Sequence, residues 1–342
     1  MRGADAGTTK GAVSSLHRIR STMPGPRGAE DGIYMGKVRL IVNPAAGGGT
    51  AGQSIPDIEQ RLSKLGLKFD LVKTERPWHA VELAQAAAAE VDVVVAVGGD
   101  GTANEVLNGL MLAKNEGHVA AMGVLCVGRG NDFAFGMGIP ADLATGCDVL
   151  AHDHRHRIDV GFVKGGDFPD GRYFGNGIGI GFDAVVGFVA AKQKRLKGFV
   201  SYLVAAIKTI FVYFKAQLVR LEFDDQPMNI HALMVSVMNG RRMGGGFMMA
   251  PDGKPDDGVF NLCIARQVSR PRIFALMLKF MKGTQFEHPT ISDGQTARIV
   301  VTALEGTLPA HADGETLCLE GKKLEMTIVP DALEIVRPAK EG

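Results

Sequence analysis

The run Gly98-Gly99-Asp100-Gly101-Thr102 carries the densest chemistry in the chain. Its glycines let the backbone turn sharply and come close to a ligand. An apolar stretch of buried-strand type precedes it, and a helical pattern with Asn104 and Glu105 in its first turn follows. The N-terminus of such a helix presents N–H groups and the positive end of a dipole, which suits phosphate. Asp100 stands in the middle of that anion site, where a carboxylate repels phosphate unless a cation or a proton transfer gives it a role. The combination predicts phosphoryl transfer from a nucleotide, with Mg²⁺ as the bridge. A tight strand–turn–helix connection with a capping aspartate is the simpler alternative. The phosphate-type loops elsewhere in the same region weigh against it.

The elements that must hold this loop alternate in type. A strand predicted at 37–43 runs into the glycine-rich turn Pro44-Ala45-Ala46-Gly47-Gly48-Gly49 and then a helix near 53–65. That turn is not a P-loop, because no Gly-Lys-Ser/Thr follows it. A second strand at 68–73 ends at Thr74 and leads to a helix near 80–90; a third, at 92–97, feeds the central loop. After the helix ending near Asn115, a fourth strand at 122–127 enters Gly128-Arg129-Gly130-Asn131-Asp132-Phe133-Ala134. Alternating strand and helix implies a mostly parallel sheet, whose ligand lies where the loops gather at the carboxyl ends of the strands. A helix at 141–151 ends in His152-Asp153-His154-Arg155-His156, which reads as a polar connection or, less simply, a metal site.

From Ile158 strand-like runs dominate, at 159–164, 173–180, 217–223, 231–239 and 259–265, and predict a second, β-rich domain. Gly175, Gly177, Gly179 and Gly181 alternate along one of them, as a bare strand face against which something packs closely. One long helix, or two, is predicted over 192–214. Phe199, Leu203, Val204, Ile207, Phe211 and Phe214 fall at helical spacing, and Lys192, Lys194, Arg195, Lys197, Lys208 and Lys215 form a basic flank. Another apolar helix with basic residues is predicted at 272–282. Both suit packing on the β domain, and both also suit an acidic membrane surface or a lipid cleft. Residues 241–261 read as a flexible, acidic turn region; Asp256-Asp257-Gly258 within it is a plain turn or a hard-cation site. An acidic turn, His311-Ala312-Asp313-Gly314-Glu315, lies between strands at 296–303 and 323–329, and a last short strand at 333–336 has no evident partner.

Composition sets outer limits. The 342 residues suit two domains, and 46% apolar content is that of a globular chain with real cores. A net charge of +1 gives no case for nucleic acid as partner. The four cysteines, Cys126, Cys147, Cys263 and Cys318, lack metal-type spacing and read as reduced thiols of a cytosolic protein. Residues 1–36 read as a disordered leader, without the apolar core of a signal peptide.

Taken together, these segments closely resemble the diacylglycerol kinase catalytic-domain family, which includes bacterial lipid kinases, sphingosine kinases and ceramide kinases. The matching pieces are NPAAGGG at 43–49, GGDGTANEVLNGL at 98–110, GRGNDFAFGMGIP at 128–140, DDGVFNL at 256–262 and DGE at 313–315. The likeness runs over nearly all of 37–340. GGDGT alone is shared with NAD kinases and, more loosely, phosphofructokinases; the GNDFA segment and the terminal DGE narrow it to the lipid-kinase branch.

The resemblance implies a two-domain α/β fold: an α/β nucleotide-binding domain at 37–156 with a C-terminal return at 330–340, a β-sandwich lipid-substrate domain at 157–329, and an active site in the cleft between them. It implies ATP held by Asn43, Pro44, Ala45, Ala46, Gly47 and Thr74, and by Gly99, Asp100, Gly101, Thr102, Ala103, Asn104 and Glu105. Arg129 would also contact it, standing where the family usually has Thr; an arginine there can pair with phosphate oxygens. Glu315 would accept the proton of the lipid hydroxyl, and Asp100, with Asp313 nearby, would orient that hydroxyl or hold catalytic Mg²⁺. Lys254, Asp257 and Val259 resemble a structural Mg²⁺ site, the outer two through backbone carbonyls. The implied activity is γ-phosphoryl transfer from ATP to a lipid hydroxyl, foremost diacylglycerol, by a cytoplasmic protein associated peripherally with the membrane. A homodimer is compatible with it. A soluble small-molecule kinase of NAD-kinase type and a non-catalytic nucleotide- or lipid-binding regulator stay open as alternatives.

Overall fold

The computed structural model describes residues 36–128, 130–191, 198–212, 216–223 and 227–339. Four strands, β1 (Lys37–Val42), β2 (Lys68–Lys73), β3 (Val93–Gly98) and β4 (Ala121–Cys126), pair in parallel in the order β2-β1-β3-β4. The helices of this half are α1 (Thr50–Gln53), α2 (Ile55–Lys64), α3 (His79–Ala87), α4 (Asp100–Asn115), α5 (Asp132–Gly136) and α6 (Leu143–His152). The sequence of β3, VVVAVG, is buried at every residue, as a strand covered on both faces must be. Val94 and Ala96 pack with residues of α3, α4 and α5, whereas Val93, Val95 and Val97 pack with α1, α2 and α6. Every one of these βα turns therefore opens at the same edge of a rigid layer.

After α6 the chain continues through β5 (Arg155–Gly165), β6 (Phe168–Phe174), β7 (Gly177–Gly181), α7 (Phe182–Ala191), α8 (Gly198–Val212), β8 (Gln217–Glu222), β9 (Met228–Met238), β10 (Arg242–Met243), β11 (Phe247–Met248), β12 (Phe260–Arg266), α9 (Arg270–Lys282), β13 (Ile291–Thr296), β14 (Arg298–Ala303), β15 (Leu308–Ala312), β16 (Glu315–Gly321) and β17 (Lys323–Val336). These strands pair antiparallel into a β-sandwich. Successive side chains of a strand point to opposite faces, and β9 and β12 use both. Val235, Val237, Leu262 and Ile264 enter the core between the layers with Ile299, Val301 and Leu324. Met234, Met238, Cys263 and Ala265 face a separate core under α7, α8 and α9.

The longest pairing joins the halves. β17 runs beside β5 from Leu324↔Gly165 to Val336↔Arg155, with a bulge between Val329 and Leu333. Its first half also pairs with β14, and near its end Ile335 pairs in parallel with Met122 of β4. The strands expected at 323–329 and 333–336 are thus one strand, bent where the bulge lets it change sheets.

Other expectations need correction. The strand predicted at 173–180 is two, because Gly175 and Asn176 leave the ladder and turn their N–H groups on Asp313. The helical region predicted at 192–214 is preceded by α7, which was not expected; its own residues lie in α8 (Gly198–Val212) as far as they are described. Lys192, Lys194, Arg195, Lys197, Phe214 and Lys215, and the side chains of Phe199 and Phe211, lie outside the described residues, as does the leader up to residue 35. Residues 242–248 are not a loose turn but the ribbon β10–β11. The alternating glycines are indeed a face of close approach: a Cβ at Gly175 would meet the Phe133 ring at 2.5 Å, and one at Gly177 the Met238 sulfur at 2.6 Å.

Candidate active site

The loops after β1, β3 and β4 meet at the carboxyl ends of their strands. Asn43 Nδ2 donates to Thr102 Oγ1 at 3.2 Å, linking the first loop to α4. The Gly99 and Gly128 backbones touch: a Cβ at 99 would stand 3.0 Å from the Gly128 Cα, so neither position tolerates a side chain. Two carboxylates face each other at this junction. A Cβ at Gly130 would lie 2.9 Å from Asp100 Oδ2 and 3.4 Å from Asp132 Oδ2. The Phe133 N–H donates to Asp100 Oδ1 at 3.0 Å. Arg242 Nε and the Gly245 N–H donate to Asp132 at 2.7 and 2.9 Å, tying β10 and its turn to α5. Burial, then the charge of Asp132, pushes the Asp100 carboxyl up to about 7. Asp132 is also raised by burial, against the pull of Gly245 and Arg242.

The turn at Asp313-Gly314 is the two-residue loop of the β15–β16 hairpin, with both residues at positive φ, 49° and 86°. Asp-Gly is the sequence that such a turn favours. The fold carries it to the start of α4. Asp313 Oδ2 accepts from the Gly175 N–H (2.7 Å) and from Asn104 Nδ2 (2.8 Å), and Oδ1 from the N–H groups of Asn176 and Gly177 (both 2.9 Å). The amide of Asn104 is oriented in turn, because its Oδ1 accepts from Arg172 Nη2 and from Asn108 Nδ2. Arg172, only 4% exposed, packs against the adjoining rings of Trp78 and Phe168, at 4.5 and 4.9 Å. Its Nε and Nη1 have no hydrogen-bond partner among the described residues. Burial lowers its pKa, opposed by Asp313, Glu315 and Glu105. Glu315 follows the turn with Oε1 against Gly101; burial raises its pKa, and Arg172 opposes the rise.

One cavity of about 520 Å³ connects these groups to the β-sandwich half. Asn43, Ala45, Ala46, Gly47, Gly99, Asp100, Gly101, Thr102, Asp313 and Glu315 line its polar end. Phe182 and Val186 of α7, Leu233 and Met234 of β9, and Ile273, Leu276 and Phe280 of α9 line its apolar end.

The remaining expected residues lie off the cavity wall. The Thr74 N–H is bonded to the Val42 carbonyl, Ala103 and Asn104 are buried, and the Pro44 carbonyl accepts the Gly52 N–H. Glu105 Oε2 accepts the Ala80 N–H at the start of α3 (3.1 Å). Arg129 lies outside the described residues. Lys254, Asp257 and Val259 sit together on a separate loop held by Asp159, whose N–H donates to the Pro255 carbonyl and whose Oδ2 accepts the Gly258 N–H. No group of three or more His, Cys, Asp or Glu side chains gathers for a metal among the described residues. One exposed carboxylate with backbone carbonyls is nevertheless a donor set of the kind hard cations take, and the Asp257 loop supplies it.

Sequence reasoning passed over Asp132, Arg172 and Arg242. Asp132 stood in a quoted motif. Nothing in the sequence marked Arg172 or Arg242, whose roles come from the tertiary fold.

Residues 37–163 match the diacylglycerol kinase catalytic domain, and residues 176–337 match the YegS C-terminal NAD kinase beta sandwich-like domain. The chain belongs to the diacylglycerol kinase catalytic-domain family. A diacylglycerol kinase of Staphylococcus saprophyticus is 28% identical over 281 residues, covering 82% of this chain and 88% of that protein. One from Staphylococcus aureus (strain bovine RF122 / ET3-1) is 29% identical, covering 82% and 86%. A crystal structure of a diacylglycerol kinase from Bacillus anthracis str. Sterne shares the fold, with a TM-score of 0.67 at 21% identity over 88% of this chain and 97% of that one. Membership makes the protein a kinase-type enzyme.

Proposed function

We propose that the protein transfers the γ-phosphoryl group of ATP to the hydroxyl of a lipid, foremost diacylglycerol. The observation that carries this reading is the cavity's continuity: glycine loops and carboxylates at one end, an apolar bore under α7 and α9 at the other. Phosphates would lie over the loops at Ala45–Gly47 and Gly99–Thr102, against N–H groups at the start of α4. The lipid hydroxyl would meet Glu315, which burial makes more basic than an ordinary carboxylate and hence a better acceptor of its proton. Asp313, fixed by four donors, holds the turn that presents Glu315. Mg²⁺, when bound, supplies neutralisation of phosphate charge; Asp100 stands nearest the loops to hold it, and the Asp257 loop offers a structural position.

Peripheral membrane association is part of the same proposal. The outer side of α9 exposes Phe274, Leu278 (60%) and Met281, flanked by Arg272 and Lys282, while its inner side lines the bore. Among the described residues no helix is long and apolar enough to cross a membrane.

The test is phosphate transfer from labelled ATP with Mg²⁺ to a total lipid extract in mixed micelles, wild type beside Asp100→Asn. A labelled lipid formed by wild type alone is the expected result. In a parallel assay with NAD added, labelled phosphorylated NAD and no labelled lipid would replace this reading with the small-molecule kinase, and nucleotide binding without transfer would replace it with a regulator.

A further inference from the structure

The apolar end of the cavity contains a second polar pair that the reaction above does not use. Asp183, in the first turn of α7, accepts the Ala184 N–H at Oδ1 (2.9 Å) and bonds Ser236 Oγ at Oδ2 (2.8 Å). His311, on β15 two residues before Asp313, is 5% exposed. Its Nδ1 accepts the Gly314 N–H at 3.3 Å, which leaves the ring proton on Nε2. Asp183 Oδ2 and His311 Nε2 meet over Gly179: a Cβ there would stand 2.5 Å from the first and 2.6 Å from the second. Nε2 makes no hydrogen bond among the described residues, and both side chains line the cavity. Around them the wall is Phe182, Val186, Leu233 and Met234. Polar groups in an apolar wall are expensive unless something bonds them, and sites of this form use a few placed polar groups to fix orientation.

We propose that Asp183 and His311, brought together over Gly179, form a hydrogen-bonding subsite for an uncharged oxygen function of the acceptor lipid, an ester carbonyl or a second hydroxyl close to the reacting one. This rests on the lipid-kinase reading. The imidazole is neutral and donates from Nε2. Burial raises the Asp183 carboxyl to about 7, so that below that pH its protonated form can donate too. An Nε2 donor beside a carboxyl that burial makes readier to hold a proton matches the carbonyl oxygens of a glycerolipid. They offer nothing to a plain alkyl alcohol beyond its reacting hydroxyl.

The test uses the full chain and three probes, 1,2-dioctanoylglycerol, 1-dodecanol and sphinganine, with binding and phosphate transfer measured for each. Wild type should prefer dioctanoylglycerol, and Asp183→Leu should lower that preference at least tenfold in both measurements. Asp183→Asn, which keeps a donor and an acceptor, should stay within about threefold of wild type. A preference that survives Asp183→Leu overturns the subsite. So does a loss in Asp183→Asn as large as in Asp183→Leu, together with tightest wild-type binding of sphinganine, which would make the ligand a cation. Dioctanoylglycerol binding with the expected variant pattern but no phosphate transfer would overturn the kinase reading and leave the subsite standing. Transfer to dioctanoylglycerol with an unmoved preference would do the reverse.

Discussion

Glu315 Oε1 lies 2.8 Å from the point where a side chain at residue 101 would begin, so the proposed base rests on the bare face of Gly101. The contact is with the far end of a flexible side chain, which can swing aside. Alanine also favours a helix over glycine by about 1 kcal/mol. Gly101→Ala should therefore keep or slightly raise the thermal midpoint while lowering kcat at least tenfold. A variant with full kcat would mean that the position of Glu315 does not matter to turnover.

Asp313→Ala should be far more damaging to the fold. It leaves the N–H groups of Gly175, Asn176 and Gly177 and the amide of Asn104 without their acceptor. Buried donors so orphaned cost about 3–5 kcal/mol in sum. Asp313→Asn should cost less, since asparagine tolerates the positive φ and keeps one acceptor oxygen. Urea unfolding of the three proteins checks the order; equal midpoints would contradict it.

Asp183 and His311 should shape stability in opposite directions with pH. The Asp183 carboxyl is raised to about 7, so folding takes up a proton and this group's contribution falls as pH climbs from about 4 to 7. His311 is lowered to about 4, so its contribution falls as pH drops from about 6.5 to 4. The nearby Cys263 thiol is raised by burial and stays protonated throughout. The stability of Asp183→Asn relative to wild type should accordingly grow with pH, by up to about 1.4 kcal/mol per unit between pH 4 and 7. Denaturation midpoints at pH 4.5, 5.5 and 6.5 decide it, and a constant difference would sink the assignment.

Leu278→Glu places a charge on the exposed stripe of α9, opposite the residues that line the bore. Sedimentation with anionic vesicles should fall severalfold, with ATP binding unaltered. Undiminished sedimentation would move the membrane contact elsewhere.

Much of the first half was readable because its signals are local. VVVAVG and the glycine turns after it announce a buried parallel strand and a helix N-terminus within one stretch of chain. The gathering of three such loops followed from topology alone. The second half was harder because its key relationships are long-range. Asp313 finds donors at Asn104 and Gly175, both more than a hundred residues away, and no local pattern predicts that. Arg172 was invisible because a strand arginine is ordinarily solvated; only the Trp78 and Phe168 rings make it a buried brace. Missing β15 and β16 follows from the His-Ala-Asp-Gly-Glu stretch that joins them, which looks like a solvated turn.

The last strand carries a consequence for synthesis. β4 emerges from the ribosome early, but its outer neighbour is the end of β17, where Ile335 pairs with Met122. At about 5–20 residues per second, that edge waits on the order of 10–40 s for its partner. An unpaired edge strand is a template for wrong pairing. Nascent chains arrested before residue 330 should be protease-sensitive around β4, and release of the final residues should close the sheet in a single step.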